Sequence, residues 1–330
     1  MSRLPSFTPV TPARVKHRAV VALGGNALSP AGERSTIHDQ FRHTREALAP
    51  IVEMALDGWH LCVVHGNGPQ VGDELQRNEA ARDEVEPLPL GVLVAGTAGW
   101  IGYMIQQSIE NALRAERNDR SVVTIITQVA VATDDPALQQ PTKFIGHELP
   151  AARAESLARA GVDMQRDGRG RLRRVVGSPR PIGVVEGEVL RRLVGAGTIV
   201  VACGGGGVPV CEDPDSGRWE GVDAVIDKDF AAAVVARDLG AELLLILTDV
   251  DAVYRDWGTS HQLALPRLSL AEAEALDRAK TFGDGSMAPK VRAAIDFVRH
   301  TGGRAIITEL SRGLAAVRGE AGTIITAEYE

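Results

Sequence analysis

The sequence predicts an α/β fold built around a mostly parallel sheet. Short β-branched runs recur without polar alternation, as strands buried on both faces require. Helical patterns separate them, as crossovers between parallel strands require. Most runs stop at a Gly-rich or small polar turn. Parallel strands place their C-terminal ends on one edge, so these turns should converge on a single crevice.

Taken in order, residues 18–23 run into Gly24-Gly25-Asn26. Residues 35–57 form an amphipathic helical pattern that ends at Gly58. Residues 61–64 run into His65-Gly66-Asn67-Gly68-Pro69-Gln70, and residues 91–114 hold a long apolar helical stretch. Residues 122–126 run into Thr127-Gln128. Helical spacing returns at 187–194, then residues 198–203 run into four glycines, Gly204 to Gly207. A helix over 229–239 leads to a run at 243–247 and the turn Thr248-Asp249-Val250-Asp251. A last helix, 289–299, stops before Gly302-Gly303, and residues 304–307 precede Thr308.

Residues 134–180 break this rhythm with four prolines and an Arg-rich stretch, Arg166 to Arg174. Asp167-Gly168 between two short runs signals a hairpin turn. The segment is expected to be a protruding, lid-like insertion whose arginines form a solvated face. The expected organisation is a flexible tail over 1–17 and a single domain over 18–330 carrying that insertion.

The chain has 330 residues, 44% of them hydrophobic and 24% charged, with a formal charge of −7. This excludes a fibrous or disordered chain. Mild acidity argues against a nucleic-acid partner, and no run is long enough to cross a bilayer. Cys62, Cys203 and Cys211 form no CxxC pair, and the first 18 residues lack an apolar signal core. Buried thiols in a cytoplasmic protein are the expectation.

The Gly-rich turns offer amides to an anion. The usual nucleotide motifs are missing. There is no G-x-x-x-x-G-K-[ST], and Gly66 to Gly72 is one residue off the dinucleotide fingerprint, with Pro69 inside it. No H-E-x-x-H metal pattern and no G-x-S-x-G elbow occur, and no metal ligands are assigned. His65 is given a packing or hydrogen-bonding role. Positive charge must come from elsewhere. Only five of the 36 basic residues are lysines, and three of them (Lys143, Lys228 and Lys290) lie in Gly-, Pro- or Asp-rich segments. Two lysines held apart by an aspartate would stabilise a phosphoryl group in flight without a covalent intermediate.

These motifs resemble one family, the carbamate kinases of the amino acid kinase superfamily. The resemblance rests on Val20 to Leu28, His65 to Gly72, Pro141-Thr142-Lys143, Gly204 to Pro209, Ala224 to Asp229, Leu245 to Val253, and Gly285-Ser286-Met287 with Pro289-Lys290. It covers about residues 18–325 in order. It implies a three-layer α/β/α sandwich, a homodimer, and reversible phosphoryl transfer between ATP and carbamate, with ADP, Mg²⁺ and a place in arginine metabolism. By resemblance, Gly24, Gly25 and Asn26 cradle the phosphoryl group, with Gly205 and Gly206 beside them. Gly66 and Asn67 would hold the carbamate end. Lys143, Lys228 and Lys290 would neutralise phosphate charge, and Asp229 would orient the lysines. Thr248, Asp249, Val250, Asp251 and Tyr254, with Met287 and Pro289, would border the nucleotide.

The chain departs from the family pattern in places. Ala98 stands where Gln is common, Ala288 where Gly is usual, and Phe144 where Pro is typical. Two alternatives therefore stay open: the same chemistry on another small carboxylate or carbamate-like acceptor, and a nucleotide-binding regulatory protein with little turnover.

Overall fold

The computed structural model describes residues 17–24, 28, 36–146, 148–167, 170–283 and 287–328. Residues 1–16 of the expected 1–17 tail, Gly25, Asn26, Gly168 of the expected Asp167-Gly168 turn and Gly285-Ser286 lie outside them. Among the described residues, eight strands form the central sheet. They are β1 (Arg18–Leu23), β2 (His60–His65), β3 (Val122–Thr124), β4 (Ile199–Val201), β5 (Leu243–Thr248), β6 (Arg267–Ser269), β7 (Arg304–Glu309) and β8 (Thr323–Thr326). Their order is β6-β8-β7-β5-β1-β2-β4-β3. Every pairing is parallel except β7 with β8.

The unbroken apolar runs have the cause inferred from them: β2 is buried along its whole length, and β1 and β5 nearly so. Alternate residues supply two separate cores. Val20, Ala22, Cys62, Val64, Leu244 and Ile246 face one side, against helices α5 (Lys228–Leu239) and α6 (Met287–Thr301). Ala19, Val21, Leu23, Leu61 and Val63 face the other, against α2 (Ala49–Leu56) and α4 (Leu90–Ala115). Helices thus cover both faces of the sheet, and the three-layer sandwich follows from a period of two along each strand.

Two details depart from expectation. The helix expected over 35–57 is two helices, α1 (Ile37–Ala47) and α2, meeting at Leu48. Pro50 opens the second, since proline has no amide to continue the first. The run expected over 122–126 ends at Thr124. Gln128 instead starts a strand of a second sheet, ordered Trp219–Gly221, Val208–Glu212, Gln128–Val131, Pro181–Val184.

The irregular segment carries structure of its own. Strands Lys143–Phe144, Leu172–Val176 and Met164–Arg166 form a three-stranded antiparallel sheet beside a helix, Ala151–Arg159. Its arginines have local partners. Arg171 bonds Asp167 and Glu148, Arg173 donates to the Gly146 carbonyl at 2.7 Å, and Arg174 pairs with Glu79 on α3 (Gly68–Ala80). Backbones touch where the segment meets α3: Gly146 donates to the Gly68 carbonyl at 3.1 Å. A Cβ on Gly72 would stand 1.9 Å from the Gly146 Cα.

Candidate active site

The register aligns the strand tips: Leu23 lies beside His65 and beside Leu247. At this edge opens a cleft of about 230 Å³. Its floor is Gly66 and Asn67 after β2, with Gly205 from the glycine turn after β4. Asp227, Lys228 and Asp229 enter from the start of α5, and Pro289 with Lys290 from the start of α6. Lys143, Phe144 and Ile145 come from the inserted segment.

The charges in the cleft form a connected set. Asp227 caps α5, accepting from the Asp229 amide at 2.9 Å, and its other oxygen pairs with Lys143. Asp229 sits between two ammonium groups, Lys228 on Oδ1 and Lys290 on Oδ2 at 3.3 Å. A lysine at the first residue of a helix opposes the helix dipole, so Lys228 is placed where helix stability alone would not put a cation. Burial draws the Lys228 ammonium below its ordinary value, Asp229 partly restores it, and Lys290 lowers it further. Burial also works against the Asp229 carboxylate, but the charge of Lys228 and Lys290 outweighs it and holds Asp229 well below the usual carboxylate range. Two cations and one anion held this way leave net positive charge facing the cleft.

Two of the turn amides are used within the fold. The Gly24 amide donates to the Leu247 carbonyl at 3.2 Å and the Gly66 amide to the Leu23 carbonyl at 3.1 Å. Both are spent extending the sheet ladder. Gly24 and Gly206 do not line the cleft, whereas Gly66 and Gly205 do. The turn after β4 needs glycine for another reason. Gly205 and Gly206 have φ of 69° and 93°. A Cβ at Gly205 would lie 2.2 Å from the Asn67 Nδ2, and one at Gly206 would lie 2.2 Å from the Ile226 carbonyl oxygen. The turn is thereby pressed against both Asn67 and the chain entering Asp227-Lys228.

A second cavity of about 190 Å³ is lined by Asp249, Val250, Ala252, Tyr254, Trp257, Phe282 and Met287. Met287 lines it while Pro289 and Lys290, one turn along α6, line the charged cleft, so this helix start borders both. Thr248 and Asp251 do not line it. The Thr248 hydroxyl donates to Asp249 at 3.0 Å, and Asp251 accepts from the Tyr254 hydroxyl at 2.9 Å.

Sequence reasoning left several residues out. Asp227 was visible in the Asp-Lys-Asp triplet, but its partner Lys143 lies 84 residues away. Trp257 and Phe282 gave no signal, being isolated aromatics in loops. Gln128, expected at the crevice, is turned elsewhere: its backbone and side-chain amides both donate to Glu186, at 2.8 and 2.9 Å. Ala98 is buried under Gly204 and does not line the cleft. Among the described residues no cluster of three or more His, Cys, Asp or Glu gathers.

His65 is wholly buried, with Nδ1 3.0 Å from the Gly66 carbonyl and Nε2 packed against Gly204. Burial pulls the imidazole down to about 4. The unfolded chain then binds a proton first, so stability is full above pH 6.5 and is lost as pH falls from 6.5 toward 4. The loss should total about 3 kcal/mol. Denaturant titrations of wild type and His65→Asn between pH 7.5 and 4 check this: the variant should lack that part of the slope, and equal slopes would refute it.

The sequence profile of the Amino acid kinase family matches residues 17–309. The chain belongs to the amino acid kinase family. Within it, the chain is similar to carbamate kinases. It is 43% identical over 312 residues to the carbamate kinase of Pyrococcus horikoshii, covering 94% of this chain and 99% of that one. It is 46% identical over 308 residues to the carbamate kinase of Escherichia coli O6:H1, covering 93% and 98%. Its fold superposes on carbamate kinase from Giardia lamblia bound to citric acid with a TM-score of 0.89, at 36% identity, over 94% and 98% of the two chains. The same enzyme bound to AMP-PNP gives 0.86.

Proposed function

We propose that this chain is a carbamate kinase, moving a phosphoryl group between carbamoyl phosphate and ADP to give carbamate and ATP. The observation that carries the reading is the Lys228-Asp229-Lys290 bridge, facing Asn67 and Gly66 across the cleft, with Lys143 on Asp227 above it.

In this reaction an oxygen of the ADP β-phosphate attacks phosphorus. The bond from phosphorus to the carbamate oxygen breaks, and its electron pair leaves with carbamate. Charge balances without a proton, so no general base is required. Catalysis then falls to positioning and to positive charge around the transferred group. Lys228 and Lys290 neutralise its oxygens, Asp229 keeps them apart, and Lys143 adds charge from the inserted segment. The apolar cavity beside Tyr254 and Met287 takes the nucleoside, so that its phosphates extend along the start of α6. Mg²⁺ enters as the counterion of the nucleotide phosphates and belongs to the substrate. Cytoplasmic location, a homodimeric state and a role in arginine metabolism belong to the same proposal; among the described residues no helix is long and apolar enough to cross a membrane.

Another acceptor was suggested by Ala98, but this side chain packs behind the glycine turn rather than in the cleft. The test is ATP formation from ADP with carbamoyl phosphate, measured beside a panel of small acyl phosphates. Turnover highest with carbamoyl phosphate is the expected result. A clear preference for another acyl phosphate, or nucleotide binding without turnover, would overturn it.

A further inference from the structure

Asn67 occupies the N-cap of α3, where an asparagine usually spends its carbonyl oxygen on a helix amide. Here it makes no such bond. Its Nδ2 donates instead to the Thr97 hydroxyl at 2.9 Å, on the buried side of α4. Thr97 is fully buried, and its one proton is committed to the carbonyls of Leu93 and Val94, at 3.0 and 2.9 Å. Those carbonyls can only accept. With its proton directed at those carbonyls, the Thr97 oxygen accepts from the amino side of the Asn67 amide. The Asn67 oxygen is left over, with no partner among the described residues.

The rest of the cleft makes that oxygen distinctive. Among the described residues its other charged or polar side chains are three lysines and two aspartates, and both aspartates are held by lysines. Phosphate and carboxylate oxygens find donors here. An amino group needs an acceptor. We infer that Thr97 is a positioning residue: it locks Asn67 with Oδ1 toward the cleft, and that oxygen selects the amino group of the carbamoyl moiety over a methyl of the same size. This rests on the carbamate kinase reading.

The test compares kcat/KM for ATP formation from carbamoyl phosphate and from acetyl phosphate, which replaces the amino group by methyl. Where acetyl phosphate turns over too slowly, its inhibition constant against carbamoyl phosphate takes its place. Thr97→Val removes the hydroxyl at constant shape, and Thr97→Ala does so while keeping a good helix former. Each should lower the preference for carbamoyl phosphate about tenfold, the worth of one hydrogen bond, mainly through KM. Thr97→Ser, which keeps the hydroxyl, should hold the wild-type preference within about twofold of its value. Parallel losses on both substrates, or a loss in Thr97→Ser as large as in Thr97→Val, would overturn the inference and leave the kinase reading standing. A wild-type protein inactive on carbamoyl phosphate would overturn both.

Discussion

Replacing Lys228 by alanine is expected to lower kcat about a thousandfold while changing the dissociation constant for ADP by less than about threefold. The asymmetry follows from when the charge is needed. On the proposed reading, the transferred group in the ground state already carries its charge on oxygens that Lys290 and Lys143 would also face. In a loose transition state charge shifts onto the bridging oxygens, and a buried ammonium fixed at the start of α5 meets it without reorganisation. Lys228 is fixed in this sense: its side chain is 12% exposed and pinned to Asp229. Nucleotide affinity should come largely from the cavity beside Tyr254 and Met287, which Lys228 does not line. Steady-state kinetics together with calorimetric titration of ADP would check both halves. Equal losses in turnover and affinity would remove Lys228 from the transition state.

The path from sequence to site was legible where the signal was local. A strand buried on both faces must be apolar throughout, so β1, β2 and β5 could be read from short runs. Parallel strands share an edge, so the turns holding Gly66, Asn67 and Gly205 could be brought together without a fold in hand. What stayed hidden depends on contacts distant in sequence. Whether the Gly24 amide faces a ligand or the sheet is decided by the Leu247 carbonyl. The role of Asn67 is decided by Thr97, 30 residues away on another helix. The second sheet escaped notice because its strands come from separate parts of the chain, and the Trp219–Gly221 strand is exposed throughout. Pro50 was a local signal passed over, since amphipathic spacing continues on both sides of the helix break.

Asp229→Asn should produce opposite trends in activity and stability as pH rises. The carboxylate is 3% exposed and is bonded by two lysines. Without its charge, a buried ammonium loses its counterion, and the stability lost near neutral pH should be about 3–5 kcal/mol. Lys228 is already drawn down by burial, and Asp229 is the largest influence raising it. In the variant it must fall further, until the amine sheds its proton rather than stay charged and unpaired. Activity needs the ammonium, so kcat should drop about a hundredfold at neutral pH and recover toward acid. Stability runs the other way. Between the lowered folded value and the ordinary lysine value the unfolded chain binds the extra proton, so stability rises with pH across that window and is lost as pH falls through it. The wild type should show the same trends more weakly, because Asp229 holds the proton on Lys228. Paired pH profiles of kcat and of the denaturation midpoint would decide the matter. Activity and stability that rise and fall together in Asp229→Asn would mean that Asp229 shapes the cleft without governing the charge on Lys228.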